Sequence, residues 1–387
     1  MSATRIFADH AAGSPVRPEV ADLLAALYRE GIGNPNGGHA EARRARAVLD
    51  EARANIADTF KVESRQVTFT ASASEALALA LNSELRGEGR LMTTATEHRG
   101  ARALAARHEA AGGAVELISV DSSGAWRLAG ITPRRDTVAL LTISSGELGT
   151  EQDLSAIRAL WREAEGGALI LDAVQAAASQ KLHFDEIGAD HLVIGSAKLE
   201  GPTGIAALIS APDRRLRPLV AGGGQERGRR GGTEAVPLAA AFAHALLLAT
   251  REREATREHL RALSNVFDEA LGAPETHGLR LTGSIDRTKR LPGHHSYVAS
   301  WALGDDLVAA LDHAGLAIST GSACISGSRE PSEALVACGR SLDEARGGIR
   351  ISFGRTNNVE EARRAAAITA ATCARIREGV RVETTSP

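Results

Sequence analysis

The sequence predicts an α/β protein: a mostly parallel sheet covered by helices on both faces, with a smaller α+β unit beside it. Three observations carry this expectation. Short unbroken apolar runs, QVTFTA, VALLTIS, GALILDA and HLVIG, have strand length and no polar alternation, as strands buried on both faces do. Helical segments such as LSAIRALWREAE stand between them, the pattern of repeated strand–helix units. A chain of 387 residues with 43% hydrophobic content can also bury more than one core, at roughly 150 residues per domain.

The elements follow in order. After an extended arm over residues 9–15, Val20, Leu23, Leu24 and Leu27 recur at helical spacing, and the turn GIGNPNGGH ends that helix. A second helix runs through EARRARAVLDEARANIADTF, and the alternation of strands and helices then begins. Past the glycine-rich AGGGQERGRRGGTEAVP the chain is helical for a long segment. It continues with the strand-like HSYVASW, the small-residue stretch GSACISG, the strand-like GGIRISFG and a last helix opened by a capping box of Asn358 and Glu361. The larger domain is placed at residues 16–256, and the smaller at 1–15 and 257–387, carrying the loop of Cys324.

Composition excludes several classes. A formal net charge of -3 and scattered arginines give no field for nucleic acid or an anionic membrane, so the expected partner is a small molecule or another protein. Cys324, Cys338 and Cys373 lack CxxC spacing and no signal peptide is evident, so neither a disulfide framework nor a zinc site is expected, and the compartment reads as reducing and cytoplasmic. The apolar run over residues 236–250 is interrupted by His244 and is shorter than the roughly 18–20 residues of a membrane span. It reads as a buried helix.

Lys198 follows the strand HLVIG within GSAKLEGPTG, where small neighbours leave room around its amine. A lysine at the carboxyl end of a parallel strand sits where open α/β sheets place ligands, and desolvation there favours the neutral amine that Schiff-base chemistry needs. Asp172 closes the apolar run GALILDA. A carboxylate in that position needs a cationic or hydrogen-bonding partner, such as the pyridinium nitrogen of pyridoxal phosphate, or else the N–H groups of a following helix. Gln175 could reach the hydroxyl of such a ring. Ser72, Ala73 and Ser74 follow the strand QVTFT and open a helix, whose free N–H groups suit a phosphate or merely a serine cap. Cys324, among Gly321, Ser322, Ser326 and Gly327, reads as presented to solvent rather than packed.

Taken together, ADHAAGSP, GNPNGGH, TATEH, LDAVQA, GSAKLEGPTG, GGGQERGRRGGTE, GSACISGSREPS and GIRISFGR resemble, in order, the cysteine desulfurases. These are pyridoxal-phosphate enzymes of the aspartate aminotransferase fold (fold type I), and the long cysteine loop with EPS resembles the NifS/IscS-type branch. The resemblance implies that Lys198 holds the cofactor as a Schiff base and shuttles protons, and that Asp172 pairs with the ring nitrogen. It implies that His98 stacks on the ring and acts as acid or base, that Gln175 lies beside the ring oxygen, and that Ser74 binds the phosphate at the helix start with Ser72 and Ala73, while Ser196 is counted among the cofactor-binding residues. Thr233 would reach the phosphate of the opposite subunit of a homodimer. Arg350 would bind the substrate carboxylate with Asn34 nearby. Cys324 would take sulfur from L-cysteine as a persulfide, release L-alanine and pass the sulfur to an acceptor protein.

Two segments depart from the family pattern. In SSGELGT, Ser145 and Gly146 stand where the family generally has two asparagines, and Ala197 stands where a histidine usually precedes the lysine. A lost donor to a charged group costs roughly 1.5–3 kcal/mol. Two alternatives therefore accompany desulfuration: another pyridoxal-phosphate reaction on an amino acid (C–S lyase, selenocysteine lyase, elimination or replacement), and a weakly catalytic sulfur-relay subunit.

Overall fold

A computed structural model describes residues 5–87, 89–163, 167–321 and 330–384, so Cys324 lies outside the described residues. The strands are β1 (Ile6–Phe7), β2 (Val67–Thr70), β3 (Arg90–Thr93), β4 (Ala114–Leu117), β5 (Thr137–Thr142), β6 (Ala168–Asp172), β7 (His191–Gly195), β8 (Ala206–Ser210), β9 (Arg280–Leu281), β10 (His294–Val298), β11 (Leu316–Ala317) and β12 (Gly348–Ser352).

Seven of them form one sheet in the order β2-β8-β7-β6-β5-β3-β4. Neighbouring pairs are parallel except those made by β8, which runs against both β2 and β7. The α/β sheet expected from the sequence is therefore present, with one reversed strand. Alternate residues serve opposite faces, as the period of two requires. Leu141, Leu171 and Ile194 enter one core with Phe60 and Phe242 from the helices Ala40–Phe60 and Val236–Leu271. Leu140, Ile170 and Val193 enter another with Leu77 and Ala101 from the helices Ala73–Glu84 and Arg99–Ala110.

A third core gathers Tyr297, Ile349, Ile351 and Phe353 around the sheet β12-β10-β9, with Leu263, Phe267 and Leu271 from the far half of Val236–Leu271. The boundary expected near residue 257 falls inside that continuous helix. Arm residues Ile6 and Ala8 join this third core, and β1 pairs with β11. The final helix, Val359–Thr384, opens on the expected box: the Glu361 N–H donates to Asn358 Oδ1 at 2.9 Å, and the Asn358 N–H to Glu361 Oε2 at 3.1 Å.

Among the described residues no helix is long and apolar enough to cross a membrane, and no cluster of three or more His, Cys, Asp or Glu could hold a metal. Cys338 and Cys373 are buried free thiols. Burial pushes their pKa values up to about 12 and about 11, so neither supplies a thiolate near neutral pH.

Candidate active site

The sheet delivers two groups side by side. β6 ends at Asp172, and β7 runs directly into a short turn, Ser196–Lys198, that carries Lys198. Both stand at the carboxyl ends of adjacent parallel strands, where the following loops open a crevice. Asp172 is buried, and the Val174 N–H donates to its Oδ1 at 2.9 Å. Burial raises its pKa to about 6 while the backbone bond and the Lys198 ammonium oppose that rise. A buried carboxylate left this close to neutrality is well suited to a cationic ring N–H.

Lys198 Nζ donates to the carbonyl of Ala12, and Gln175 Nε2 donates to the carbonyl of Ala11 at 2.8 Å. The N-terminal arm thus crosses the site and ties both residues through its backbone. A cavity of about 120 Å³ lies behind the arm, lined among others by His10, Arg17, Gln175, Lys198, Glu200 and His294.

His98 caps the helix Arg99–Ala110, its Nδ1 accepting the Gly100 N–H at 3.0 Å. Desolvation, then the charges of Lys198 and Arg102, hold its pKa below that of an ordinary histidine, so the ring is a neutral base near pH 7. Ser74 is adjacent: a Cβ built on Gly100 would fall 2.9 Å from Ser74 Oγ and 3.2 Å from His98 Nδ1. Ser72 accepts the Glu75 N–H and caps the helix Ala73–Glu84, leaving the amides of Ala73 and Ser74 at its N-terminus. Ser196 Oγ is buried with no hydrogen-bond partner.

Arg350, on β12, is buried and held on three sides. Its Nη2 donates to Asp9 Oδ1 at 2.8 Å and to Ser319 Oγ at 2.7 Å, and its Nη1 to the Gly146 carbonyl at 3.0 Å. Ser145 faces into the turn, where its Oγ accepts the Leu148 N–H at 3.1 Å. Asn34 and Thr233 form a second group. Both are exposed, and Asn34 Oδ1 accepts from Asn36, whose Nδ2 donates at 2.9 Å to Glu234 beside Thr233.

Sequence reasoning missed Asp9, Ser319 and Glu97. Glu97 is buried beneath the site, bonded to Thr94 and Thr142, and burial raises its pKa to about 8. Thr142 is the register partner of Asp172. The usable signal was an acid between Thr96 and His98 directly after a strand.

The class-V aminotransferase family matches residues 6–364 of the chain. The cysteine desulfurase IscS 1 of Archaeoglobus fulgidus is 32% identical over 361 residues, covering 91% of this chain and 93% of the relative. The chain belongs to the cysteine desulfurase family. The cysteine desulfurase of Frankia sp. is 33% identical, with 96% of this chain and 92% of the relative covered. Among solved structures, a NifS-like protein superposes with a TM-score of 0.87 at 24% identity, covering 96% of this chain and all of that one, which shows the fold. A structure titled SspA in complex with cysteine superposes at 0.76 with 27% identity, covering 91% and 99%. Cysteine desulfurases depend on pyridoxal phosphate, and the donor set fits it: a lysine amine, a buried carboxylate on the neighbouring strand, a helix N-terminus and an unpartnered buried hydroxyl at Ser196.

Proposed function

We propose that the protein is a pyridoxal-phosphate-dependent cysteine desulfurase that converts L-cysteine to L-alanine and receives the sulfur on Cys324 as a persulfide. The observation that carries this reading is the placement of Lys198 and Asp172 at the ends of adjacent parallel strands, with Arg350 anchored across the same crevice. In this reading Lys198 holds the cofactor, and Asp172 faces the ring nitrogen. His98 lies against the ring, and Gln175 beside its oxygen. Ser72, Ala73, Ser74 and Ser196 receive the phosphate, with Thr233 supplied from the opposite subunit of a homodimer. When bound, pyridoxal phosphate supplies an electron sink for the substrate carbons.

The chain's own groups do the rest. Arg350 binds the substrate carboxylate through the bidentate face of its guanidinium, with Asn34 nearby. Lys198 and neutral His98 move protons at the substrate carbons. The Cys324 thiolate attacks the substrate sulfur: the S–S bond forms, the substrate C–S bond breaks, and the carbon that loses sulfur gains a proton to become the alanine methyl. The sulfur then passes to an acceptor protein. The protein works in the cytoplasm on this reading, although relatives include a mitochondrial cysteine desulfurase of Saccharomyces cerevisiae, 32% identical over 92% of this chain and 72% of the relative.

The test is to reconstitute the protein with pyridoxal phosphate, supply L-cysteine, and score alanine and protein-bound persulfide for wild type and Cys324→Ser. Loss of both products in the variant supports the desulfurase. Turnover that survives Cys324→Ser sinks it in favour of another reaction on amino acids. If wild type makes no alanine at all but accepts a persulfide from a donor, the sulfur-relay reading takes its place.

A further inference from the structure

Gly146 replaces an asparagine of the family pattern, and the surroundings show what has taken over at that position. A Cβ on residue 146 would lie 2.8 Å from Gln175 Nε2, so the space beside it is already filled by Gln175. The Gly146 backbone carbonyl accepts two hydrogen bonds, one from Arg350 Nη1 and one from His294 Nε2, both at 3.0 Å. Both of its lone pairs are therefore used, and the plane of that peptide is fixed from two directions.

His294 suits this task in its chemistry. Its residue is 2% exposed, on β10, and it fits into the turn over residues 145–150. A Cβ on Gly149, whose φ is +75°, would fall 2.5 Å from its Nδ1, so the ring packs directly on that backbone. Because Nε2 faces a carbonyl it must carry the proton, and Nδ1 is the bare nitrogen, buried without a partner. Burial, and then the charge of Arg290, push its pKa well below the ordinary value, with Arg350 acting in the same direction. The ring is neutral, so it donates a hydrogen bond without adding a third positive charge next to those two arginines.

We propose that His294 is a positioning residue for recognition of the substrate carboxylate: it fixes the Gly146 carbonyl, which orients Arg350. The inference rests on the reading of Arg350 given above. Without His294 the carbonyl keeps one buried lone pair unpaired, at a glycine whose missing side chain leaves the peptide freer to rotate. Arg350 then loses the fixed acceptor on Nη1, while Asp9 and Ser319 still hold Nη2.

The experiment compares the holoenzyme with His294→Gln, whose amide nitrogen replaces Nε2 as donor, and with His294→Asn, which is too short to reach. Each is titrated with L-alanine and with cysteamine, which has the amine and thiol but no carboxylate, by following the visible absorbance of the bound cofactor. In His294→Asn, L-alanine binding is expected to weaken about tenfold, the size of one lost buried hydrogen bond, with cysteamine unchanged within about twofold. His294→Gln is expected to bind both as wild type does. The KM for L-cysteine should follow the L-alanine result while kcat holds. Equal weakening of both probes in His294→Asn, or L-alanine binding equal to wild type, overturns the proposal. Absence of cysteine-dependent alanine in the wild type would instead overturn the desulfurase reading, and the two titrations would still decide the role of His294.

Discussion

Arg53 and Glu226 face each other through two 2.7 Å hydrogen bonds, with both side chains buried. Glu226 Oε2 also accepts the Phe69 N–H at 2.9 Å, and Arg53 Nη1 also donates to the Val67 carbonyl at 2.8 Å. The pair thus ties the helix Ala40–Phe60 and strand β2 to the glycine-rich segment that leads to Thr233. Glu226→Ala strands a buried guanidinium, and the expected cost is about 3–5 kcal/mol, read as a lowered urea midpoint. Replacing both residues by methionine removes the stranded charge but leaves the Phe69 N–H and the Val67 carbonyl unpaired, so it is expected to recover only part of that loss.

Glu97 makes stability depend on pH in a defined direction. Its pKa is raised from 4.5 to about 8, so the folded protein holds a proton that the unfolded chain releases. The contribution is fully present below the unfolded value and is lost as pH rises through the folded one, at about 1.4 kcal/mol per pH unit between them. Glu97→Gln removes this dependence. Urea unfolding at pH 5 and pH 8 should show the variant gaining on wild type at the higher pH; a pH-independent gap would mean that Glu97 titrates normally.

Asp172 links cofactor affinity to pH. Its ionised form predominates above a pKa of about 6 in the cofactor-free chain. The affinity of wild type for pyridoxal phosphate, relative to Asp172→Asn, is expected to be larger at pH 7.5 than at pH 5. At pH 7.5 the ratio should be about tenfold or more, the size of a charge-assisted hydrogen bond. A constant ratio across that range would exclude a titrating partner for the ring.

Gly146→Asn tests the crowding beside Gln175. The new Cβ meets Gln175 Nε2 at 2.8 Å, so Gln175 must move and release the Ala11 carbonyl. The expected cost is about 1–3 kcal/mol of overpacking, visible as weaker cofactor retention on dialysis. Adding Gln175→Ala should relieve the clash, read as a recovered urea midpoint because Gln175 itself is proposed to stand beside the cofactor. Gly146→Asn retaining the cofactor as wild type does would show that Gln175 yields freely.

Much of the fold was legible because hydrophobic pattern is local. Leu140, Leu141, Ile170 and Leu171 spell a doubly buried strand wherever they pair, and Asp172 and Lys198 stand out by following such strands. The reversal of β8 was not legible, since an apolar run carries no direction. Nor were the supports of Arg350: Asp9 lies 341 positions away in sequence, and Gly146 lies 204 away. Those contacts are set by how the arm and β12 meet in space, and no periodicity encodes that. His294 was hidden for the same reason, since a histidine in an apolar strand reads first as a satisfied core residue.

The helix Val236–Leu271 has 36 residues, a rod of about 54 Å at 1.5 Å per residue. Phe242 and Leu246 sit in the core of the large sheet, while Leu263 and Phe267 sit in the core around β10 and β12. Melting either core would strip one half of this rod of its apolar cover while the other half remained wrapped, and a long helix gains little from propensity alone. Heat should therefore undo both cores together, as one calorimetric peak, and whatever steadies one end of the rod is felt at the other.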